Sequence, residues 1–572
     1  MKLLIKKIYF IFFFFVILLF NSKIFAKDSE IQYSKENISN YFQGKLSINH
    51  NYNNKAFNSL KKVRSLKEYH SQFNVEFIRT LVLLEKFEEA FDFSKTVWKE
   101  NDLFFETDLL LGLSNFINED YESAEEYFKR LNKISRYNLI FDNFIGNILI
   151  SWNEAAQGNK DESFESLSKI PNLYSHLKQT QNIFLQCYFN DNKTQETLEN
   201  LIGSKDYNFS RYNFFLVNYL LFKNKKTEAK EVVLKSREKY TSNLLIKQMD
   251  FFFKNNESEK IKKFFNCKNP KDALAEFFYV LANLYSSEQD YRLSNFYLKI
   301  SLFLNNKFLA NKVLLAENYY YQKKIKDSKK VYTSLKSISP IYSWYSSKNI
   351  ATILEIQEGK KQSIKNLEKD FNLLVNKNFE HYYELANIYK DNKYHKESIK
   401  YYSLALEKIK KDHSLIPKIL DRRGTSFERI NDWENAEKDL IESLKILPDQ
   451  AHVLNYLAYT WVDQGIKLDK ALEMLKKANE LKENDGYIID SLGWVYYVKK
   501  DYVEADIYLQ RAVELLPYDP VINDHYGDNL WMLNKNIQAR HVWKNILKLD
   551  NTEKKLKDTI KKKLIFGIAT QL

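Results

Sequence analysis

The sequence of 572 residues predicts an all-α protein, an α-solenoid wound as a right-handed superhelix of about 11–14 helix–turn–helix repeats. Three observations predict this fold. Only 12 Gly and 7 Pro occur, too few for the turns of a β protein of this length. Hydrophobic residues make up 44% and aromatic residues 15% of the chain, which supplies bulk for a packed core. Small residues also recur along most of the chain with a period close to 34 residues, the interval of a helix-pair repeat.

The first 26 residues are predicted to be a cleavable signal peptide. Three lysines stand near the start, and an uninterrupted apolar stretch follows at 8–20. This stretch is shorter than the about 20 residues that a membrane-spanning helix needs, and Ala26 suits the last position before a cleavage site. No cysteine precedes Cys187, so none stands at that site to carry a lipid. We expect export to the periplasm or cell envelope, with no integral span after signal removal. Retention of the segment as an anchor is the alternative.

Two columns of small residues define the repeat. Members of the first column stand near the start of each second helix and follow one another at intervals of 34 to 38 residues within each of two runs. Twelve residues upstream of most of them stands a second small residue, on the first helix of the pair. Antiparallel helices approach closely only where their side chains are small, so we expect the columns to be crossing points. The first column is Ala56, Ala90, Ala124, Ser294, Ser328, Ser363, Ser398, Ala436, Ala471, Ala505 and Ala539; the second includes Gly44, Gly112, Ala282, Ala316, Ala351, Ala386, Gly424, Gly493 and Gly527.

The repeat that begins at Gly486 has the clearest pattern. Asp501 precedes its second helix, where a carboxylate can accept hydrogen bonds from unpaired amides, and Glu504 completes a capping box. The residues that mark this unit are Ile489, Leu492, Gly493, Tyr496, Ala505, Leu509, Ala512 and Pro517.

In these residues the chain resembles the tetratricopeptide repeat (TPR) family. The resemblance is strong over about 272–550, good over 37–136 and weak over 140–265. The strings at 485–494 and 519–528 resemble those of exported multi-TPR proteins of Gram-negative bacteria. The resemblance implies protein–protein scaffolding without chemistry of its own.

The pattern divides the chain into five segments. The segment 140–265 stays apolar and poor in Gly and Pro, which favours diverged repeats over a flexible hinge. The segments are a signal peptide (1–26), N-terminal TPR repeats (27–139), degenerate helical repeats (140–265), a C-terminal TPR array (266–550), and a capping helix and tail (551–572).

The net charge and the cysteines give weaker predictions. The formal charge is +13, which fits either an anionic partner or the Lys-rich surface that a coding bias produces, because Lys, Asn, Ile, Phe and Tyr are all abundant. Cys187 and Cys267 are 80 residues apart, about two repeats along an extended stack. A disulfide requires Cα atoms within about 7 Å, so we expect two separate buried thiols.

No catalytic, cofactor or metal motif is present in the sequence. Glycine-rich phosphate loops, GxSxG and HExxH are absent, and the nine His are dispersed. The nearest trio, His381, His395 and His413, falls on different predicted elements. The sequence therefore predicts a protein that is not an enzyme, has no cofactor or metal and does not bind nucleic acid.

The first helices of the last full repeats are the candidate binding surface. First helices line the concave side of such arrays, and here they present aromatic residues interleaved with acids. Such a surface suits an extended peptide or a helix with apolar anchors and some positive charge. The alternative is that these aromatic residues only pack between repeats. The predicted groove residues are Tyr459, Tyr487, Asp490, Trp494, Tyr497, Asp524, Asp528 and Trp531.

Two main functions are therefore open. The first is an exported scaffold that binds a protein or peptide partner, with envelope components as the expected partners. The second is an accessory subunit of an envelope-biogenesis, polymer-export or secretion enzyme complex. A third function, docking of a basic surface onto anionic envelope polymer, rests on net charge alone.

Overall fold

The computed structural model describes residues 34–134, 144–204 and 209–568. The predicted signal peptide lies outside these ranges. Helices account for nearly all regular structure in the described ranges, and the pairing of Lys99 with Asp102 is an isolated bridge rather than a strand. The all-α prediction is confirmed. The chain forms two compact units, one up to Gln357 and the other from Glu358.

The first unit is built from helices in antiparallel succession. Short 3-10 segments at Lys61–Glu68, Asn172–Tyr174, Ser210–Tyr212 and Ser258–Lys263 interrupt them. The helices are α1 (Lys35–Asn49), α2 (Asn53–Leu60), α3 (Ser71–Leu83), α4 (Phe87–Val97), α5 (Phe105–Ile117), α6 (Tyr121–Ile134), α7 (Phe144–Gln157), α8 (Lys160–Ser168), α9 (Ser175–Tyr188), α10 (Thr194–Gly203), α11 (Asn213–Phe222), α12 (Lys226–Lys239), α13 (Leu244–Lys254), α14 (Pro270–Ser287), α15 (Tyr291–Leu304), α16 (Leu309–Tyr321), α17 (Ile325–Leu335) and α18 (Pro340–Glu358).

The second unit continues the helix pairs and ends in a single helix. Within it, first helices pack on one another across repeats, α20 on α22, α24 on α26 and α26 on α28. The helices are α19 (Lys360–Asn372), α20 (Phe379–Asp391), α21 (His395–Lys408), α22 (Ile416–Arg429), α23 (Trp433–Ile446), α24 (Ala451–Asp463), α25 (Leu468–Leu481), α26 (Gly486–Val498), α27 (Tyr502–Leu515), α28 (Pro520–Met532), α29 (Asn536–Ile546) and α30 (Lys554–Phe566).

The columns of small residues are the points where paired helices cross. Every member of the first column is buried. The glycines of the second column each face a large side chain sixteen residues later, one turn beyond the small residue of the partner helix. A Cβ atom on any of these glycines would press on that side chain. The pairs are Gly44 with Leu60, Gly112 with Phe128, Gly424 with Leu440, Gly493 with Leu509, and Gly527 with Trp543.

In the first unit, the earlier repeats curve until later helices pack against them. Helix α14 packs on α7 and α9, and α15 packs on α3. Phe277 of α14 contacts Phe144 with ring centroids 5.6 Å apart. Glu276 of α14 is fully buried, and Nη2 of Arg211 donates to its Oε2 at 2.6 Å. The face that the first helices of these repeats share is therefore partly covered by α14 and α15.

The expectation of two separate thiols is wrong. Cys187 in the last turn of α9 and Cys267 in the turn before α14 form a disulfide, with Cα atoms 6.0 Å apart. The expectation assumed that the 80 intervening residues are stacked in one direction. Because the repeats curve back, α9 and α14 are instead neighbours, within reach of a disulfide.

Candidate functional site

The predicted groove residues lie on α24, α26 and α28 of the second unit. The starts of α26 and α28 are fixed by side-chain caps. Oδ1 of Asp485 accepts from the amide of Tyr487 at 3.0 Å, and Oδ1 of Asp519 accepts from the amide of Val521 at 2.9 Å. These caps satisfy amides that have no partner within the helix, so they set where each helix begins and which residues face the groove.

An aromatic stack joins α26 to α28. The ring of Trp494 stacks on Tyr497 at 4.5 Å and on His525 at 4.0 Å between centroids. Tyr459 of α24 approaches the same imidazole at 6.3 Å. Trp494, Tyr497 and Tyr459 are half-buried. The stack therefore contributes to packing between repeats, as the alternative interpretation holds, while each of these three side chains keeps part of its surface exposed.

His525 is the anchor of this stack, and sequence reasoning missed it. Its Nδ1 lies 3.0 and 2.9 Å from the two carboxylate oxygens of Asp490, and both side chains are buried. Burial opposes a charge on the ring, but Asp490 outweighs it and, with Asp524 and Asp528 nearby, raises the pKa of His525. The sequence did hold a signal for this contact. His525 follows Asp524 on α28, and first helices of adjacent repeats pack together, so a residue at this position can reach α26.

Asp524 and Asp528 are already occupied by a cation from the chain itself. Lys563 of α30 places its Nζ 2.7 Å from Oδ1 of Asp524 and 2.6 Å from Oδ1 of Asp528. Burial and the neighbouring Asp524 raise the pKa of Asp528 to about 6, although Lys563 opposes this. The prediction of a capping helix and tail over 551–572 does not include this contact, because a lysine within a Lys-rich run gives no sign of pointing inward.

Trp531 is covered by what we call the C-terminal segment, which comprises α29, α30 and the residues after α30 up to 568. Its ring lies 5.6 Å from that of Trp543, and the Arg540 guanidinium lies 4.9 Å above it. Gly567 has a positive φ of 70°, and a Cβ atom there would collide with the indole of Trp531. The backbone after α30 thus passes directly over Trp531, and only glycine fits at that point.

The predicted residues therefore fall into three groups, the first of which is Asp490, buried against His525. Asp524, Asp528 and Trp531 contact the C-terminal segment, whereas Tyr487, with 58% of its surface exposed, stands open at the start of α26. Together with the exposed parts of Tyr459, Trp494 and Tyr497, Tyr487 forms what we call the aromatic face. Such a face can bind apolar or cationic side chains, through contact with the rings and cation–π attraction.

Neither a metal cluster nor a membrane helix is found in the described ranges. No group of three or more His, Cys, Asp or Glu residues there could hold a metal ion. Likewise, none of the helices described is both long enough and apolar enough to cross a bilayer.

Comparison with known proteins adds a sequence relative. No protein-family model matches the chain. A curated TPR repeat-containing protein of Pseudomonas aeruginosa is 34% identical over 110 residues, which are 19% of this chain and 18% of that protein. Over these residues the chain is similar to a TPR protein. It spans less than a fifth of the length of the curated relative that it matches.

Solved structures similar to this chain have low TM-scores. The C-terminal part of a TPR repeat-containing protein from Cytophaga hutchinsonii is 18% identical, covers 42% of this chain and 97% of its own, and has a TM-score of 0.31. A TPR protein of Thermus thermophilus is 15% identical, covers 33% of this chain and 99% of its own, and has a TM-score of 0.29.

Proposed function

We propose that this protein is a non-catalytic scaffold whose second unit binds a peptide or helix of a protein partner over the aromatic face. The contact of Lys563 with Asp524 and Asp528 carries the proposal. It shows a lysine of one helix held by acids on a first helix of the repeats. The neighbouring first helices, α24 and α26, carry aromatic side chains that the chain leaves partly uncovered.

The chemistry of the aromatic face indicates the kind of partner. Tyr487 and Trp494 offer broad apolar surfaces, and aromatic residues in such grooves dominate binding energies. An apolar segment with lysine or arginine would contact the rings through apolar packing and cation–π attraction. The inner face of the first unit is partly covered, because α14 packs on α7 and α9 and α15 packs on α3.

We further propose that the protein is exported to the periplasm or cell envelope. The predicted signal peptide is the main support. The Cys187–Cys267 disulfide also supports this location, because disulfides persist in oxidising compartments and are rare in the bacterial cytosol.

A capture experiment tests the scaffold proposal. The mature chain and a Tyr487→Ala/Trp494→Ala variant are immobilised, and partners are captured from a periplasmic extract and compared. We expect the variant to bind its main partner roughly 100-fold more weakly, since each aromatic anchor should contribute about 1.4 kcal/mol at a partly exposed site.

The matched control is Tyr518→Ala, which removes an equally large ring that is 76% exposed and lies outside the aromatic face. It should capture partners as the unchanged chain does. Equal capture by the double variant, with its thermal midpoint intact, would contradict the proposal. Recovery of a synthase or secretion enzyme as the captured partner would favour the accessory-subunit function.

A further inference from the structure

The C-terminal edge of the second unit concentrates positive charge. Residues 535–568 contain ten Lys and Arg against three Asp and Glu, a net charge of +7, while the whole chain has +13. Only two of these cations are directed inward to acids of the repeats, Lys535 to Asp506 and Lys563 to Asp524 and Asp528. Lys554, Lys555, Lys561 and Lys562 are exposed on α30.

Large apolar side chains project from the same edge. Ile537 on α29 is 87% exposed, and Ile565 and Phe566 at the end of α30 are 69% and 79% exposed. Nε of Arg540 donates to the carbonyl of Leu564 at 3.2 Å, which ties the exposed side of α29 to the end of α30. Isolated apolar residues on a surface need no explanation, but this group is surrounded by lysines and arginine.

The inward contacts leave the outer side of α30 unused by the fold. Ile560 is buried against the repeat, and Lys563 binds the two aspartates. Lys561 and Lys562, adjacent in sequence, point away, and the nearest carboxylate to Lys561 is Asp558 of the same helix at 3.7 Å. The helix is thus anchored on one side and presents lysines followed by Ile565 and Phe566 on the other.

We infer that this C-terminal edge docks peripherally onto an anionic phospholipid membrane. Its lysines would attract the phosphates of the head groups, and Ile565 and Phe566 would enter the boundary between head groups and acyl chains. Charge alone would fit any anionic polymer. Two apolar side chains exposed at the tip of a basic helix favour a lipid surface, because only a lipid surface offers an apolar phase beneath its anionic groups. This inference goes beyond the scaffold function and does not depend on the aromatic face.

Co-sedimentation with vesicles tests the inference. The full mature chain is mixed with vesicles of equal parts phosphatidylglycerol and phosphatidylcholine, and separately with phosphatidylcholine alone. We expect binding to the anionic vesicles only, weakened by high salt, because exposed charges are screened over about 10 Å at 0.1 M salt. Ile565→Ser/Phe566→Ser and Lys561→Glu/Lys562→Glu should each reduce the partition coefficient roughly tenfold or more.

Two control variants change the same chemistry elsewhere in the second unit. Val503→Ser/Ile507→Ser removes apolar side chains that are 70% and 61% exposed on α27, and Lys410→Glu/Lys411→Glu reverses two exposed charges. Both should bind like the unchanged chain. Absence of binding to anionic vesicles would overturn the inference. If Lys561→Glu/Lys562→Glu loses binding to the anionic vesicles but Ile565→Ser/Phe566→Ser does not, the inference is also overturned. An anionic polymer or protein would then be favoured as the ligand.

Discussion

The ammonium group of Lys563 lies between two carboxylates, 2.6 Å from Oδ1 of Asp528 and 2.7 Å from Oδ1 of Asp524. All three side chains are largely buried, with 12–15% of their surface exposed. Asp524 and Asp528 stand one turn apart on α28, so without a cation their charges would repel each other. Lys563 relieves this repulsion and at the same time fastens α30 to the end of the repeats.

Lys563→Ala should therefore loosen the C-terminal helix. We expect a loss of about 1–3 kcal/mol in the free energy of unfolding, because two partly buried carboxylates would lose their shared cation. Hydrogen exchange of 554–566 should accelerate, and urea unfolding should give the stability loss. Lys562→Ala removes an exposed lysine beside it and should change stability by no more than about 0.5 kcal/mol. An equal effect of both substitutions would contradict this account of Lys563.

The repeat itself could be predicted from sequence, because its physical cause is local. Residues at a helix crossing, such as Gly493 and Ala505, must be small, and a crossing recurs about every 34 residues. The contact of Cys187 with Cys267 depends instead on how far many small rotations between repeats bring the chain back. The periodic sequence pattern does not show how these rotations add up over the repeats, and so the sequence did not predict the disulfide.

The candidate site could be predicted only in part, for a similar reason. Position within the repeat placed Trp494 and Asp528 on first helices of adjacent repeats. Whether such a residue stays open depends on its particular neighbours, and here those are His525 and Lys563. His525 lies on α28 and Lys563 on α30, so in each case one side chain of another helix decides what is covered.

His525 should make the second unit more stable at mildly acidic pH. Its pKa is raised in the folded protein above the unfolded value of about 6.5. The charged pair with Asp490 therefore adds stability that is fully present below the unfolded pKa and is lost as pH rises through the folded pKa. The raised pKa of Asp528, about 6 instead of 3.8, acts in the same direction at lower pH.

Thermal unfolding at about pH 6 and about pH 8.5 tests the role of His525. In the unchanged chain the thermal midpoint should decrease as the pH is raised from the lower to the higher of these two values. In His525→Gln this decrease should be much smaller. His541→Gln, which replaces an exposed histidine on α29, should retain the full pH dependence. If the thermal midpoints of His525→Gln and of the unchanged chain change equally with pH, the pair of His525 with Asp490 is not the source of the pH dependence.

The disulfide should stabilise the first unit selectively. Cys187 and Cys267 are 80 residues apart, and closing a loop of that length restricts the unfolded chain by about 4 kcal/mol in the chain-entropy account. Reduction, or Cys187→Ser with Cys267→Ser, should lower the unfolding midpoint of the first unit and leave that of the second unchanged. Peptide mapping of the protein purified without reductant should find the two cysteines linked. Two free thiols would refute the pairing.

Gly493 should tolerate no side chain, because it lies where α26 crosses α27. A Cβ atom at this position would stand 2.7 Å from Cγ of Leu509 and 3.0 Å from the backbone nitrogen of the same residue. The backbone contact cannot be relieved by a change of rotamer, so the two helices must separate. Gly493→Ala should therefore reduce the free energy of unfolding by about 1–3 kcal/mol, measured by urea denaturation of the whole chain.

Gly203→Ala is the control, since no atom lies within 4 Å of the added Cβ there. That substitution should be neutral or stabilising, because alanine restricts the unfolded chain more than glycine does. Equal effects at the two sites would mean that the small residues do not set the helix crossing.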